Sequence, residues 1–165
     1  ISLEVLEYGP GLYTSYFNNE KEQDDGILGE FAKAIENIQF QGKIILEMGR
    51  MIAAGCGLYL TSIVDIKETE GIKYCIVDGG IHQLNYYGQT MAMRTPHIEH
   101  FPLTNAKMGD VLVFQKAGAY SVTEGISLFL SRDLPSIYFY AEKEGFREVR
   151  PAKQTDSLNS GLEMS

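Results

Sequence analysis

No apolar run in this 165-residue sequence approaches the roughly 20 residues that span a bilayer as a helix. Cysteine is scarce. Cys56 and Cys75 form no C-x-x-C and no disulfide framework, so both are expected as buried free thiols in a reducing, cytoplasmic setting; a pair between them stays open. Basic residues are outnumbered, with 14 Lys plus Arg against 22 Asp plus Glu and a net charge of −8. A nucleic-acid footprint would be basic and clustered, so that class of partner is not expected. The opening Ile1-Ser2-Leu3-Glu4 has neither an initiator methionine nor the order of a signal peptide, and is read as the start of a fragment or a processed chain. No internal repeat occurs. His97 and His100 are spaced so that a strand would point them to opposite faces, and no metal is assigned. What is present is ordinary for a soluble chain: 44% apolar and 22% charged residues, enough for one domain or one domain plus part of another.

The rest of the chain is organised around residues 43–50, Lys-Ile-Ile-Leu-Glu-Met-Gly-Arg. Consecutive branched apolar residues at 44–46 predict a strand covered on both faces, as in a parallel sheet. Glu47 and Arg50 then fall at its carboxyl end, where such sheets place ligands. Residues 1–7 predict an earlier strand, broken by Tyr8-Gly9-Pro10-Gly11, whose backbone N–H groups could face an anion. Residues 18–26 are polar and read as a surface loop. Leu28, Phe31, Ala32, Ile35 and Ile38 follow the helical period and predict a helix over 27–39. Strand, helix and strand in this order make a βαβ unit, so Gly9 and Gly11 should open on the same edge as Glu47 and Arg50.

After Arg50 the pattern becomes that of short strands between turns, at 58–67, 73–77, 111–114, 136–141 and 146–149. Segments 89–93 and 97–103 are also expected as strands, with Pro96 and Pro102 restricting them to edges or ends. Turns are expected at 68–71, at 108–110 and around the Glu-Lys-Glu-Gly of 142–145. Many short strands of this kind predict an antiparallel sandwich or barrel. Residues 155–165, polar and Ser-rich, are expected to fray.

Four motifs in order then carry a resemblance: Glu-Met-Gly-Arg at 47–50, Val-Asp-Gly-Gly at 77–80, Gly-Asp-Val-Leu-Val at 109–113 and Ala-Gly-Ala-Tyr at 117–120. Over residues 1 to about 150 the chain resembles the fold-type III pyridoxal-phosphate decarboxylases, which act on ornithine, arginine, diaminopimelate and carboxynorspermidine. The resemblance implies a mainly β chain: the last βαβ portion of a (β/α)8 barrel (residues 1–50), a C-terminal Greek-key-type β barrel or sandwich (51–150) and a polar tail (151–165). It implies pyridoxal 5'-phosphate as cofactor, an amino-acid substrate and a homodimer. Glu47 matches the acid that faces the pyridine nitrogen, and Arg50 the arginine on the cofactor phosphate. Gly9 and Gly11 match the glycine-rich phosphate loop, and Tyr120 the tyrosine that reaches the phosphate.

The departures from the family pattern are specific. Pro10 replaces the middle glycine of the loop and removes one N–H donor. Lys43, Lys73 and Lys116 do not match the Schiff-base lysine, and neither Cys56 nor Cys75 has the context of the catalytic cysteine. The chain passes from Leu103 through Thr104-Asn105-Ala106 to Gly109-Asp110 with no room for that cysteine segment. The run from Ile81 to Gly88 lacks the arginine that holds the distal carboxylate of diaminopimelate. It instead contains His82 and Tyr87, the latter assigned to the substrate. Carrier-bound or polyamine-type amino acids are therefore the closer expectation. Two other readings compete: a non-catalytic dimerising or regulatory relative, and an acidic β-barrel module that binds an anion.

Overall fold

β1 (Val5–Tyr8) and β2 (Lys43–Leu46) pair in parallel, with Val5 opposite Lys43 and Tyr8 opposite Leu46. The crossover runs through α1 (Lys21–Glu36), which completes the expected βαβ unit. This computed structural model describes residues 3–16, 21–86 and 103–161. α1 begins six residues before the expected start, inside the stretch read as a loop. The reason is propensity: Lys, Glu and Gln are straight-chain helix formers, and polarity alone does not make a loop. It also ends earlier, at Glu36, where the Asn37 side-chain amide donates to the Lys33 carbonyl at 2.8 Å. Ile38, expected on its apolar face, lies beyond the helix and is 39% exposed. The Phe31 ring stacks on Tyr8 with centroids 6.4 Å apart.

The expectation that β2 is covered on both faces does not hold for this chain. Leu46, Val5 and Leu3 are exposed, and Ile44 and Ile45 are only half-buried. A sheet of two strands with one crossover helix has no second layer to cover its other face.

A short helix, α2 (Gly49–Ala53), follows β2 and tightens into a 3-10 turn (Ala54–Cys56). Next come β3 (Leu58–Thr69) and β4 (Ile72–Val77), an antiparallel pair joined by Glu70 and Gly71, both at positive φ. Two such residues form the tight turn whose twist suits a hairpin. β5 (Val111–Gln115) lies on the other side of β3, giving the order β4-β3-β5. β6 (Ile137–Ala141) and β7 (Gly145–Arg150) form a second antiparallel hairpin around residues 142–144. Among the described residues the chain is therefore mainly strands with few helices. The strands lie in three open sheets, with no closed barrel. The strands expected at 89–93 and over most of 97–103 lie outside the described residues.

The chain divides into two compact units. The first holds the described residues up to Tyr59 together with Phe114–Ala119; the second holds Leu60–Tyr86, the described residues up to Val113, and those from Tyr120 onward. In the first unit, Tyr59 is buried and its ring meets Phe114 at 5.9 Å. In the second, Thr61 and Ile63 continue the inward column of β3, at the two-residue spacing of a strand.

The end of the chain is anchored over residues 155–160, contrary to the expected fraying. Thr155 is 1% exposed and its hydroxyl donates to the Arg132 carbonyl at 2.9 Å. The last helix, α3 (Asp156–Asn159), delivers Asn159, whose amide donates to the Leu128 carbonyl and the Ser131 hydroxyl. The cysteines also differ from expectation. Both are free, but Cys56, at the end of the 3-10 turn, is exposed and Cys75, in β4, is half-buried.

Candidate functional site

The parallel register decides what meets at the carboxyl ends of β1 and β2. With Tyr8 opposite Leu46, the next ladder bond runs from the Glu47 N–H to the Tyr8 carbonyl at 3.0 Å. The Gly9-Pro10-Gly11 turn and the Glu47-to-Arg50 segment therefore leave the sheet side by side. Gly11 has φ +61, a conformation that suits glycine, and a Cβ there would meet nothing within 4 Å. A Cβ on Gly9 would lie 3.9 Å from Glu47 Oε2, so the carboxylate sits over the first glycine of the turn. Arg50 occupies the start of α2 and is half-buried. The Gly9-to-Gly11 turn and the Glu47-to-Arg50 segment thus leave the same edge of one βαβ unit, with Glu47 beside Gly9.

Behind this edge lies a tight backbone crossing. The Ala117 N–H donates to the Gly57 carbonyl at 2.9 Å, and the Gly118 N–H to the Ala54 carbonyl at 3.0 Å. A Cβ on Gly118 would stand 2.1 Å from the Ala53 carbonyl oxygen, and one on Gly57 2.5 Å from Gly118 Cα. Only α-carbons without a Cβ fit at Gly57 and Gly118, so the Ala-Gly-Ala of 117–119 serves as a packing device for α2. Lys116, just before it, donates from Nζ to the Ser15 carbonyl and to Thr14 Oγ1.

Tyr120 belongs to the second unit. It is 46% exposed with φ +62, and its carbonyl accepts from the Glu124 N–H and the Thr123 hydroxyl. Tyr87 lies outside the described residues, as do His97 and His100. Among the described residues no group of three His, Cys, Asp or Glu side chains could hold a metal ion, and no helix is long and apolar enough to cross a membrane.

The Val-Asp-Gly-Gly motif locks a hairpin in the second unit. Asp78 Oδ1 accepts from Thr61 Oγ1 at 2.6 Å and from the Ser62 N–H at 2.9 Å, while the Gly79 N–H donates back to Thr61 Oγ1. The Thr61 hydroxyl, and then the Ser62 amide, hold the Asp78 carboxyl below its ordinary range. Sequence reasoning missed Thr61. The available signal was a polar residue in the inward column between Tyr59 and Ile63. Beside the motif, Asp78, His82, Gln83, Ser131, Arg132 and Asp133 line an open polar cleft of about 310 Å³. Burial, and then the charge of Arg132, lower the His82 imidazole. Burial raises the Tyr86 hydroxyl. Nothing in the sequence spacing pointed to residues 131–133 as neighbours of His82.

Chains built this way have relatives among the amino-acid decarboxylases. No family model matches the chain. It is 29% identical over 111 residues to L-glutamyl-[BtrI acyl-carrier protein] decarboxylase of Niallia circulans, covering 62% of this chain and 26% of that protein. It is 26% identical over 179 residues to 2-[(L-alanin-3-ylcarbamoyl)methyl]-2-hydroxybutanedioate decarboxylase of Staphylococcus aureus, covering 86% and 45%. The diaminopimelate decarboxylase of M. jannaschii, solved with L-lysine, superposes with a TM-score of 0.67 at 21% identity, over 97% of this chain and 43% of that one. The curated and structural neighbours are thus diaminopimelate- and ornithine-type decarboxylases, as the motifs implied. The chain spans less than half the length of these relatives.

Proposed function

We propose that this chain is the C-terminal part of a pyridoxal 5'-phosphate-dependent amino-acid decarboxylase and carries the phosphate- and pyridine-facing residues of its cofactor site. The observation that carries the reading is the parallel β1–β2 register, which sets an open glycine turn, an arginine and a carboxylate on one edge. These groups suit a phosphorylated, ring-nitrogen ligand: a guanidinium for the phosphate oxygens, space over Gly11, and a carboxylate for a protonated ring nitrogen. When bound, the cofactor supplies an electron sink for the electrons released as CO2 departs. Arg50 and the Gly9-to-Gly11 backbone would hold its phosphate, a role in which the family resemblance also puts the Tyr120 hydroxyl. Glu47 keeps the proton on the pyridine nitrogen. The resemblance assigns Tyr87 to the substrate. Residues 1–50 complete a (β/α)8 barrel, and 51–150 a Greek-key-type β domain, with 151–165 as a tail. A carrier-bound amino acid is the favoured substrate class, supported by the absence of a diaminopimelate-type arginine between Ile81 and Gly88 and by the acyl-carrier relative. The exposed apolar residues of β1, β3, β4 and β6 support a homodimer.

The test uses pyridoxine 5'-phosphate, whose alcohol does not condense with lysines. Arg50→Ala should weaken its binding by about 2–4 kcal/mol, the loss of a charge-assisted contact in a partly buried site. Glu47→Ala should leave the phosphate contribution intact, because its partner is the ring nitrogen. Equal binding by wild type and Arg50→Ala would sink the assignment.

A further inference from the structure

The Lys116 ammonium is bonded to the segment that follows the glycine turn, and the residue stands at a left-handed φ of 59. A side chain in that conformation costs about 1 kcal/mol and persists only where its surroundings hold it. Two sets of contacts do so. Its ammonium donates to the Ser15 carbonyl and, at 3.3 Å, to Thr14 Oγ1. Its following backbone donates from Ala117 to Gly57 and from Gly118 to Ala54. Thr14, Ser15 and Tyr16 are buried at 5%, 1% and 8% exposure, so the Ser15 carbonyl has no bulk water to replace a lost donor. Thr14 lies three residues after Gly11, on the arm leaving the glycine turn. Ala54 lies four residues after Arg50, one helical turn along. Lys116 therefore ties the arm of the turn to the same junction that fixes the arginine helix.

We infer that Lys116 is a positioning residue for the phosphate cradle: it holds the Gly9–Gly11 turn at its working distance from Arg50 without touching the ligand. This rests on the anion-site reading above. Loss of its donors should loosen the cradle, and the effect should appear only for ligands that carry a phosphate. A lysine that merely supports folding would affect phosphorylated and unphosphorylated ligands alike.

The experiment is calorimetric titration of the 165-residue chain with pyridoxine 5'-phosphate, inorganic phosphate and pyridoxine. Lys116→Met should bind the two phosphate-bearing probes about tenfold more weakly, a cost of the order of one charge-assisted hydrogen bond, with pyridoxine unchanged. Lys116→Arg, which keeps a cation and several donors, should restore binding to within about threefold. Thr14→Val removes one acceptor without touching the lysine and should give a smaller loss in the same direction; it decides the matter if Lys116→Met does not fold. Wild-type phosphate affinity in Lys116→Met, or in Thr14→Val when the first variant is unfolded, overturns the role of Lys116. So does a parallel loss for pyridoxine. If wild type binds neither phosphate-bearing probe, or Arg50→Ala binds them as wild type does, the anion site itself is wrong and the role of Lys116 falls with it.

Discussion

Gly118→Ala should be among the most damaging single-methyl additions in this chain. The added Cβ would lie 2.1 Å from the Ala53 carbonyl oxygen, 2.7 Å from Cys56 Sγ and 2.9 Å from the Gly57 nitrogen. Two of these three are backbone atoms, so no rotamer change relieves the contact and the 117–119 segment must move away. Overpacking of this kind costs about 1–3 kcal/mol. The movement also stretches the Gly118-to-Ala54 and Ala117-to-Gly57 hydrogen bonds, now 3.0 and 2.9 Å. Each contributes a net of about 0.5–1.5 kcal/mol. The sum is about 2–6 kcal/mol, a large share of the stability of a domain of ordinary size. At about 2–4 °C per kcal/mol for a chain of this length, the melting temperature should fall by several degrees or more. Urea melts of wild type, Gly118→Ala and Gly55→Ala would measure this. Gly55 is the control, since a Cβ there meets nothing within 4 Å. Gly57→Ala strains the same junction, so the double variant should lose less than the sum of the two. A Gly118→Ala chain within about 0.5 kcal/mol of wild type, the range of ordinary surface substitutions, would refute the crossing described here.

Thr61→Val should cost about 1 kcal/mol, modest because Asp78 is solvent-exposed and its pairing is screened. The lowered Asp78 carboxyl stabilises the fold above its unfolded value of 3.8 and loses that contribution as pH falls through its folded value, so the deficit of Thr61→Val should shrink in acid melts. His82 acts in the opposite sense to a histidine that gains a partner. Its folded pKa lies below 6.5, so the unfolded chain takes up the proton first and stability falls as pH drops below 6.5, until the folded imidazole itself titrates. His82→Gln should flatten that part of the stability profile, and an unchanged slope would remove His82 from the account. Thr155→Val leaves the Arg132 carbonyl without its donor and should cost about 1–2 kcal/mol in thermal melts, where a frayed tail would cost nothing. Because no lysine here matches the Schiff-base position, the 165-residue chain with added pyridoxal 5'-phosphate should release no CO2 above the free-cofactor background, as followed with labelled amino acids.

Much of the fold was legible because its signals are local. The branched run at 44–46, the Gly-Pro-Gly turn and the alternation of 58–67 each report the backbone's own preferences; β2 and β3 stand within two residues of the expected limits, whereas β1 begins at Val5, four residues after the expected start, and ends at Tyr8, where the turn begins. That the Gly9-to-Gly11 turn and the Glu47-to-Arg50 segment leave the same edge was also legible, because a strand-helix-strand order leaves parallel strands with their carboxyl ends together. The start of α1 was misread for a local reason, since polar helix formers resemble a loop when only hydrophobic period is counted. What only the tertiary structure decided is which distant residues share a hydrogen bond. Lys116 and Ser15 are separated by 101 residues, Asn159 and Leu128 by 31, and Thr61 and Asp78 by 17. No periodicity in the chain encodes such pairs, because they are set by which backbone segments pass close enough to leave a buried carbonyl or hydroxyl in need of a partner. The amino-acid order determined the strands, the turns and the edge where charge collects; the packing of Gly57 on Gly118 was decided by tertiary structure, since there two backbones approach so closely that a single methyl group would force them apart.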